Sequence, residues 1–143
     1  MLKLNNKKYK VYTLISDAEC NEGEIWQAAL CANHHNLNNL ITIIDHNKVQ
    51  AFGTTKQVLN LEPLKEKWTS FGWNVIEVDG HSIESLYHVF SMIKSQQNKP
   101  TVIITNTIRG KGISFMEDKI EWHYLTTTKK EYCIALKEVS IRK

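Results

Sequence analysis

The sequence "YKVYTLISDAECNEGEIWQAALCANHH" (residues 9–35) joins two different hydrophobic patterns. The β-branched, apolar run over 9–16 predicts a strand, and a helix is predicted over 22–36. That helix is indicated by apolar residues at helical spacing, namely Ile25, Ala28, Ala29 and Ala32. Three carboxylates lie between the two patterns or at their junction, namely Asp17, Glu19 and Glu22. The segment therefore predicts a β–α unit that concentrates negative charge at the carboxyl end of its strand.

The rest of the chain repeats this alternation of strand and helix. Further strands are predicted from short β-branched runs at 39–45, 73–79 and 101–107. Further helices are predicted from apolar stripes at 61–71, 83–97 and 129–139, the second of them with Ser82 as its N-cap. Regular alternation of this kind indicates right-handed crossovers between parallel strands. We therefore predict an α/β fold: a doubly wound parallel sheet with helices on both faces.

Composition places the chain among ordinary globular domains. Its 143 residues predict a single domain over 1–143, with 42% hydrophobic and 23% charged residues. The net charge of +3 is spread along the chain, so we expect no nucleic-acid partner. No apolar run approaches the length of a membrane span, and the first ten residues lack a signal-peptide core. Three widely spaced cysteines indicate free thiols and a cytoplasmic location.

The predicted strand ends suggest where a ligand binds. In open α/β sheets ligands bind beyond the carboxyl ends of the strands, where Asp17 and Asn47 fall. Asn21 and Glu24 have the spacing of a capping box at the start of the next helix, whose first turn suits a phosphate. A carboxylate beside a phosphate calls for a cation, and Mg²⁺ prefers such oxygen ligands. Asp17 and Asn47 fit a helix cap and a turn equally well, so spacing alone leaves both roles open.

Three collinear blocks carry a resemblance to a known family. Asn47 follows Asp17 by 30 residues, which is similar to the thiamine diphosphate motif, a Gly-Asp-Gly with an asparagine further along. The blocks are "DAECNEGEIWQAALCANHHNLNNLITIIDHNKVQAFGTT", "LEPLKEKWTSFGWNVIEVDGH" and "KPTVIITNTIRGKGISFMEDKIEWH". Together they resemble the diphosphate-binding section of transketolases, particularly the split, N-terminal-subunit form. The resemblance covers about 9–138 and implies a partial thiamine diphosphate-binding fold.

The resemblance implies ligands for two cofactors, thiamine diphosphate and Mg²⁺. By position, Asp17 and Asn47 would bind Mg²⁺ through their side chains and Val49 through its backbone carbonyl. The backbone at Ala18 would contact the diphosphate. Glu22 matches a family glutamate close to the cofactor and to the subunit interface.

The resemblance also implies an activity and a partner. His123, in "EWH", matches a family histidine between the diphosphate and the reacting end of the substrate. The implied reaction is that of the pentose phosphate enzymes, which transfer a two-carbon ketol unit from a ketose phosphate to an aldose phosphate. The implied partner is a C-terminal subunit with the pyrimidine-binding domain, in a dimer or heterotetramer.

The chain departs from the family pattern near the expected site. The Gly-Asp-Gly triplet reads Ser16-Asp17-Ala18, Gln27 replaces a usual glutamate, and Tyr124 replaces a glycine after His123. The sequence also begins just before the first motif strand, so we expect the upstream part of the family's domain to be missing. These departures favour a second hypothesis, that of a truncated or degenerate cofactor-binding module without turnover.

Overall fold

The computed structural model describes residues 9–93 and 98–140, in which strands and helices alternate. The elements are, in chain order, β1 (Val11–Ser16), α1 (Gly23–His34), β2 (Leu40–His46), β3 (Val49–Gln50), β4 (Gly53–Thr54), α2 (Thr55–Val58), α3 (Leu64–Ser70), β5 (Asn74–Asp79), α4 (Ile83–Met92), β6 (Thr101–Asn106) and α5 (Lys129–Ser140). Two short 3₁₀ turns cover Ala18–Asn21 and Ile120–His123. None of the described helices combines the length and apolar character needed to cross a bilayer.

Four strands form one parallel sheet in the order β1-β2-β6-β5. Ser16 pairs with Asp45, and Asn106 pairs with both His46 and Asp79. The carboxyl ends of all four strands therefore meet at one edge of the sheet. Strands β3 and β4 form a separate antiparallel hairpin that follows β2 directly.

The sheet is covered on both faces because buried residues alternate along its central strands. On one face, Ile44 and Ile104 belong to a cluster with α1 and α3, whose fully buried side chains include Trp68. On the other face, Ile41 and Ile103 belong to a cluster with α4. Side chains of successive strand residues point to opposite faces, so β2 and β6 contribute to both cores. The predicted α/β class and two-sided covering are confirmed.

Most element boundaries agree with the sequence pattern to within a few residues. Ser82 caps α4 as predicted, since its Oγ accepts a hydrogen bond from Ser85 N at 3.1 Å. The helix predicted over 83–97 ends at Met92, and residues 94–97 lie outside the described part. All three cysteines are free, as expected.

The predicted capping box at α1 is wrong. Glu22 is the N-cap residue, and no side chain caps the helix there. Asn21 instead ends the 3₁₀ turn, and its Nδ2 donates to Gln50 Oε1 at 3.2 Å. The 3₁₀ turn shifts the helix start by one residue, so the Asn21 side chain points towards the β3–β4 hairpin.

We predict that Ile44→Ala lowers the free energy of unfolding by about 2–5 kcal/mol, because it leaves a cavity beneath α1 and α3. Ile44 is fully buried, whereas Ile83 is 79% exposed and provides a matched control. Ile83→Ala should change stability by less than about 0.5 kcal/mol. Urea unfolding followed by far-UV circular dichroism measures both. Equal effects of the two substitutions would contradict this placement of the core.

Candidate active site at the carboxyl edge of the sheet

The two predicted metal ligands follow adjacent strands. Asp17 comes directly after β1, and Asn47 comes directly after β2. The backbone joins the two ends, since Asp17 N donates to Asp45 O at 3.1 Å. Neighbouring parallel strands thus bring together two residues that are 30 positions apart in sequence.

Asp17 is a buried carboxylate with one oxygen available. Its side chain is fully buried, and its Oδ2 accepts a hydrogen bond from Lys48 N at 2.7 Å. Its Oδ1 is buried and has no hydrogen-bond partner among the described residues. An unpaired buried carboxylate oxygen is costly in free energy unless a cation or donor reaches it. Asp17 Oδ1 therefore has the character of a ligand atom.

The electrostatics at Asp17 agree with this interpretation. Burial raises the pKa of the Asp17 carboxyl above its ordinary value, while the Lys48 N–H and the nearby His46 lower it in part. Removal from water disfavours the ionised form, and a nearby positive charge favours it. A bound divalent cation would therefore keep this carboxylate ionised at neutral pH.

Lys48 holds an uncommon backbone conformation that serves Asp17. Its φ of 64° lies in the left-handed region, which non-glycine residues seldom adopt. In this conformation the Lys48 N–H reaches Asp17 Oδ2. Sequence patterns did not predict this role, because a backbone donor depends on conformation and has no side-chain signature.

Asn47 is held in one orientation by its neighbours. Its Nδ2 donates to Asp45 Oδ2 at 2.9 Å, and its Oδ1 accepts from Val49 N at 2.9 Å. The second Asp45 oxygen accepts a hydrogen bond from the Thr107 hydroxyl, which follows β6. An amide oxygen has two lone pairs, so Asn47 Oδ1 retains the capacity to bind a cation.

This donor set fits a hard divalent cation. It would consist of the carboxylate of Asp17, the amide oxygen of Asn47 and the backbone carbonyl of Val49, all of them oxygen atoms. Mg²⁺ is typically bound by one or two protein carboxylates together with phosphate oxygens. Within 9–93 and 98–140, no three His, Cys, Asp or Glu side chains cluster as a metal site, so the single carboxylate excludes a site built from protein charges alone.

Ala18 and Glu22 border this site on the side of α1. Ala18 is half-buried and begins the 3₁₀ turn, and Glu22 is exposed at the N-cap of α1. Ser16, which stands where the family has glycine, starts the turn by exchanging hydrogen bonds with Glu19: Ser16 N donates to Glu19 Oε2 at 2.7 Å, and Glu19 N donates to Ser16 Oγ at 3.2 Å. The serine therefore stabilises the local turn that precedes α1.

His123 lies on a turn that contacts the same edge. It is exposed at the end of the 3₁₀ turn Ile120–His123. The next residue, Tyr124, donates its hydroxyl hydrogen bond to Ala51 O at 2.9 Å, in the loop of the β3–β4 hairpin. This contact places the His123 turn beside the hairpin that begins at Val49. Arg109, to which no role was assigned from the sequence, contacts the His123 ring.

Solved structures share this fold. The high-resolution crystal structure of transketolase from Campylobacter jejuni aligns with a TM-score of 0.87 and 26% identity. The alignment covers 94% of this chain and 21% of that one. The fold is therefore that of a section of a transketolase.

Sequence comparison gives the family directly. The family described as "Transketolase, thiamine diphosphate binding domain" matches residues 4–138. The chain belongs to this family, as the three sequence blocks predicted.

Two relatives carry names of split enzymes. The chain is 41% identical over 140 residues to one named subunit of the apulose-4-phosphate transketolase of Phocaeicola vulgatus, covering 98% of this chain and 50% of the relative. It is 41% identical over 129 residues to the 6-deoxy-6-sulfo-D-fructose transketolase subunit SqwG of a Clostridium species, covering 90% and 47%. The chain thus spans about half the length of these relatives.

We predict that Asp17→Asn stabilises the chain at neutral pH in the absence of metal. The unfolded carboxyl titrates near its ordinary pKa of 3.8, and burial raises the pKa of the folded one. The folded state therefore binds more protons between these two values, so the free energy of unfolding falls as pH rises through this window. Asparagine keeps an acceptor for Lys48 N without the charge.

Thermal unfolding in EDTA, from about pH 3.5 to pH 7.5, measures this difference between the two proteins. The gain should be largest at neutral pH and should vanish at the acidic end, where both side chains are neutral. Asp79→Asn removes a carboxylate from an exposed strand end on the same edge and is the control. A gain of constant size at every pH would contradict the assignment to ionisation.

Proposed function

We propose that this chain is the thiamine diphosphate- and Mg²⁺-binding part of a transketolase, forming a partial diphosphate-binding domain over 1–143. The observation that carries the proposal is the buried Asp17 carboxylate, whose Oδ1 has no hydrogen-bond partner in the described part of the chain. A buried charge without a partner is expected where a cation binds. Its position beside Asn47 at adjacent strand ends supports this assignment.

Each predicted site residue has a role in the proposal. Asp17 and Asn47 bind Mg²⁺ through side-chain oxygens, and Val49 binds it through its carbonyl. The backbone of Ala18 contacts the diphosphate group. Glu22, exposed at the start of α1, lies near the cofactor at a subunit contact.

His123 is the proposed catalytic residue. Its exposed imidazole contacts the reacting end of a sugar phosphate and exchanges hydrogen bonds with the oxygens there. When bound, the cofactor supplies the carbanion chemistry that cleaves and forms carbon–carbon bonds. The residues of this chain bind, orient and stabilise the reacting groups.

The relatives support transfer of a two-carbon ketol unit from a ketose phosphate to an aldose phosphate. Two of them are named as transketolase subunits, and they cover nearly the whole of this chain. We therefore propose a cytoplasmic, heteromeric enzyme whose C-terminal subunit carries the pyrimidine-binding domain. Identity of 41% to named enzyme subunits favours this function over a degenerate module without turnover.

We predict that thiamine diphosphate binding requires Mg²⁺ and is lost in Asp17→Ala, because no carboxylate then bridges to the diphosphate through the cation. Titration calorimetry with and without EDTA measures this on the full chain. Asp79→Ala, at an exposed strand end, should bind as the unmodified chain does. Binding of equal strength in EDTA would contradict the proposed metal ligands.

We predict no measurable ketol transfer from the purified chain alone, even with saturating thiamine diphosphate and Mg²⁺. The chain spans about half of its relatives, so the groups that enclose the cofactor and the sugar are incomplete. Transfer should appear when the remaining half and the C-terminal subunit of a split-type relative are added. His123→Ala should then lower the rate by roughly 10²- to 10⁴-fold, the range for a proton-transferring side chain.

His88→Ala, on the exposed side of α4, is the control for this loss. It should retain the rate of the reconstituted enzyme. Turnover by the pure chain behaving as a monomer in light scattering would overturn the heteromeric proposal.

A further inference from the structure

The exposed His123 ring has one specific side-chain partner. Arg109 Nη2 lies 2.7 Å from His123 Nδ1. An arginine guanidinium donates hydrogen bonds and accepts none, and it stays protonated at any physiological pH. His123 Nδ1 must therefore be the acceptor, and the proton of the neutral ring is carried by Nε2. Nε2 makes no hydrogen bond to residues 9–93 or 98–140.

The backbone around Arg109 is fixed in place. Arg109 O accepts a hydrogen bond from Asp118 N at 3.0 Å, and Ile108 N donates to His81 Nε2 at 2.7 Å. Gly110 adopts a φ of 71°, and a Cβ added there would lie 2.7 Å from Met116. The turn therefore requires glycine, which lets the segment close on Met116 and holds Arg109 in position.

The turn that carries His123 is fixed from the other side. Tyr124 bonds to Ala51 O, and Trp122 Nε1 donates to Phe115 O at 2.7 Å. These contacts hold the residues immediately before and after His123. With the backbone held, the Arg109 contact determines how the ring is oriented.

We propose that Arg109 is a positioning residue for His123, fixing the ring with Nδ1 as acceptor and Nε2–H directed outward as a donor. This inference rests on the proposed function of His123. In that role Nε2–H donates to an oxygen of the sugar, a carbonyl or hydroxyl group. Arg109 itself acts through the histidine.

Nitrogen NMR on the full chain with ¹⁵N-labelled histidine tests the ring state without any enzyme activity. Spectra recorded at about pH 8.5 observe neutral imidazole, and His123→Gln assigns its signals. The unmodified chain should show the Nε2–H form with a hydrogen-bonded Nδ1. In Arg109→Met the Nδ1 signal should shift downfield and the Nδ1–H form should appear. Arg109→Lys, which retains a cationic donor, should restore part of the unmodified spectrum.

Lys111→Met is the matched control, because it removes a positive charge from an exposed position in the same turn. It should leave the His123 signals unchanged, and thermal melting checks that each variant is folded. An Nδ1 signal that is the same in Arg109→Met and in the unmodified chain would overturn the proposal. So would an Nδ1–H form in the unmodified chain.

The reconstituted enzyme supplies the second measurement. Arg109→Met should lower kcat by roughly 10- to 100-fold, the loss typical when a supporting contact of a functional histidine is removed. KM should change less, and Arg109→Lys should recover part of the rate. An unchanged kcat would overturn the positioning role. If even the unmodified assembly transfers no ketol unit, the proposed function fails, while the spectra still decide the ring state.

Discussion

The buried carboxylate of Asp17 is the constraint on which this edge of the sheet depends. A charge with no exposed surface is stable only if its surroundings supply compensating groups, and here the protein supplies one backbone donor, from Lys48. To direct that donor, Lys48 adopts a left-handed conformation that costs about 1–2 kcal/mol in a residue with a Cβ. Burial still raises the pKa of Asp17, so the compensation by the protein is partial. A fold that retains both an unpaired carboxylate oxygen and a strained neighbour is expected where a ligand completes the arrangement.

The neighbouring polar groups connect three strand ends into one unit. Asp45 receives hydrogen bonds from Asn47 and from Thr107, and its backbone oxygen receives one from Asp17. These groups follow or end β1, β2 and β6, which are adjacent in the sheet. Because the rigid sheet sets their spacing, Asp17 and Asn47 can remain in place without a metal. The sheet therefore pre-organises the metal ligands, and binding need not order them first.

Sequence reasoning reached the sheet and its ligand edge because both depend on local signals. Alternating periods predicted the four parallel strands, and the residues that follow two of them predicted Asp17 and Asn47. The β3–β4 hairpin has strands of two residues, too short to show a period. The α1 cap failed because a 3₁₀ turn consumed Asn21. The role of Arg109 depends on a contact across 14 residues and on a glycine turn, and neither is visible in a sequence pattern.

The site thus combines two kinds of support. The metal ligands are fixed by the parallel sheet, whose central strands are buried on both faces. His123 lies on an exposed turn and depends on side-chain contacts with Arg109 and, through Tyr124, with Ala51. Loops open locally at lower free-energy cost than core strands, so the histidine turn is the part that can adjust as a substrate enters. The Tyr124 hydroxyl bond joins this turn to the hairpin that begins with Val49. Movement of the histidine turn is therefore coupled to the hairpin beside the metal ligands, and a bulky residue at 124 creates that coupling where glycine could not.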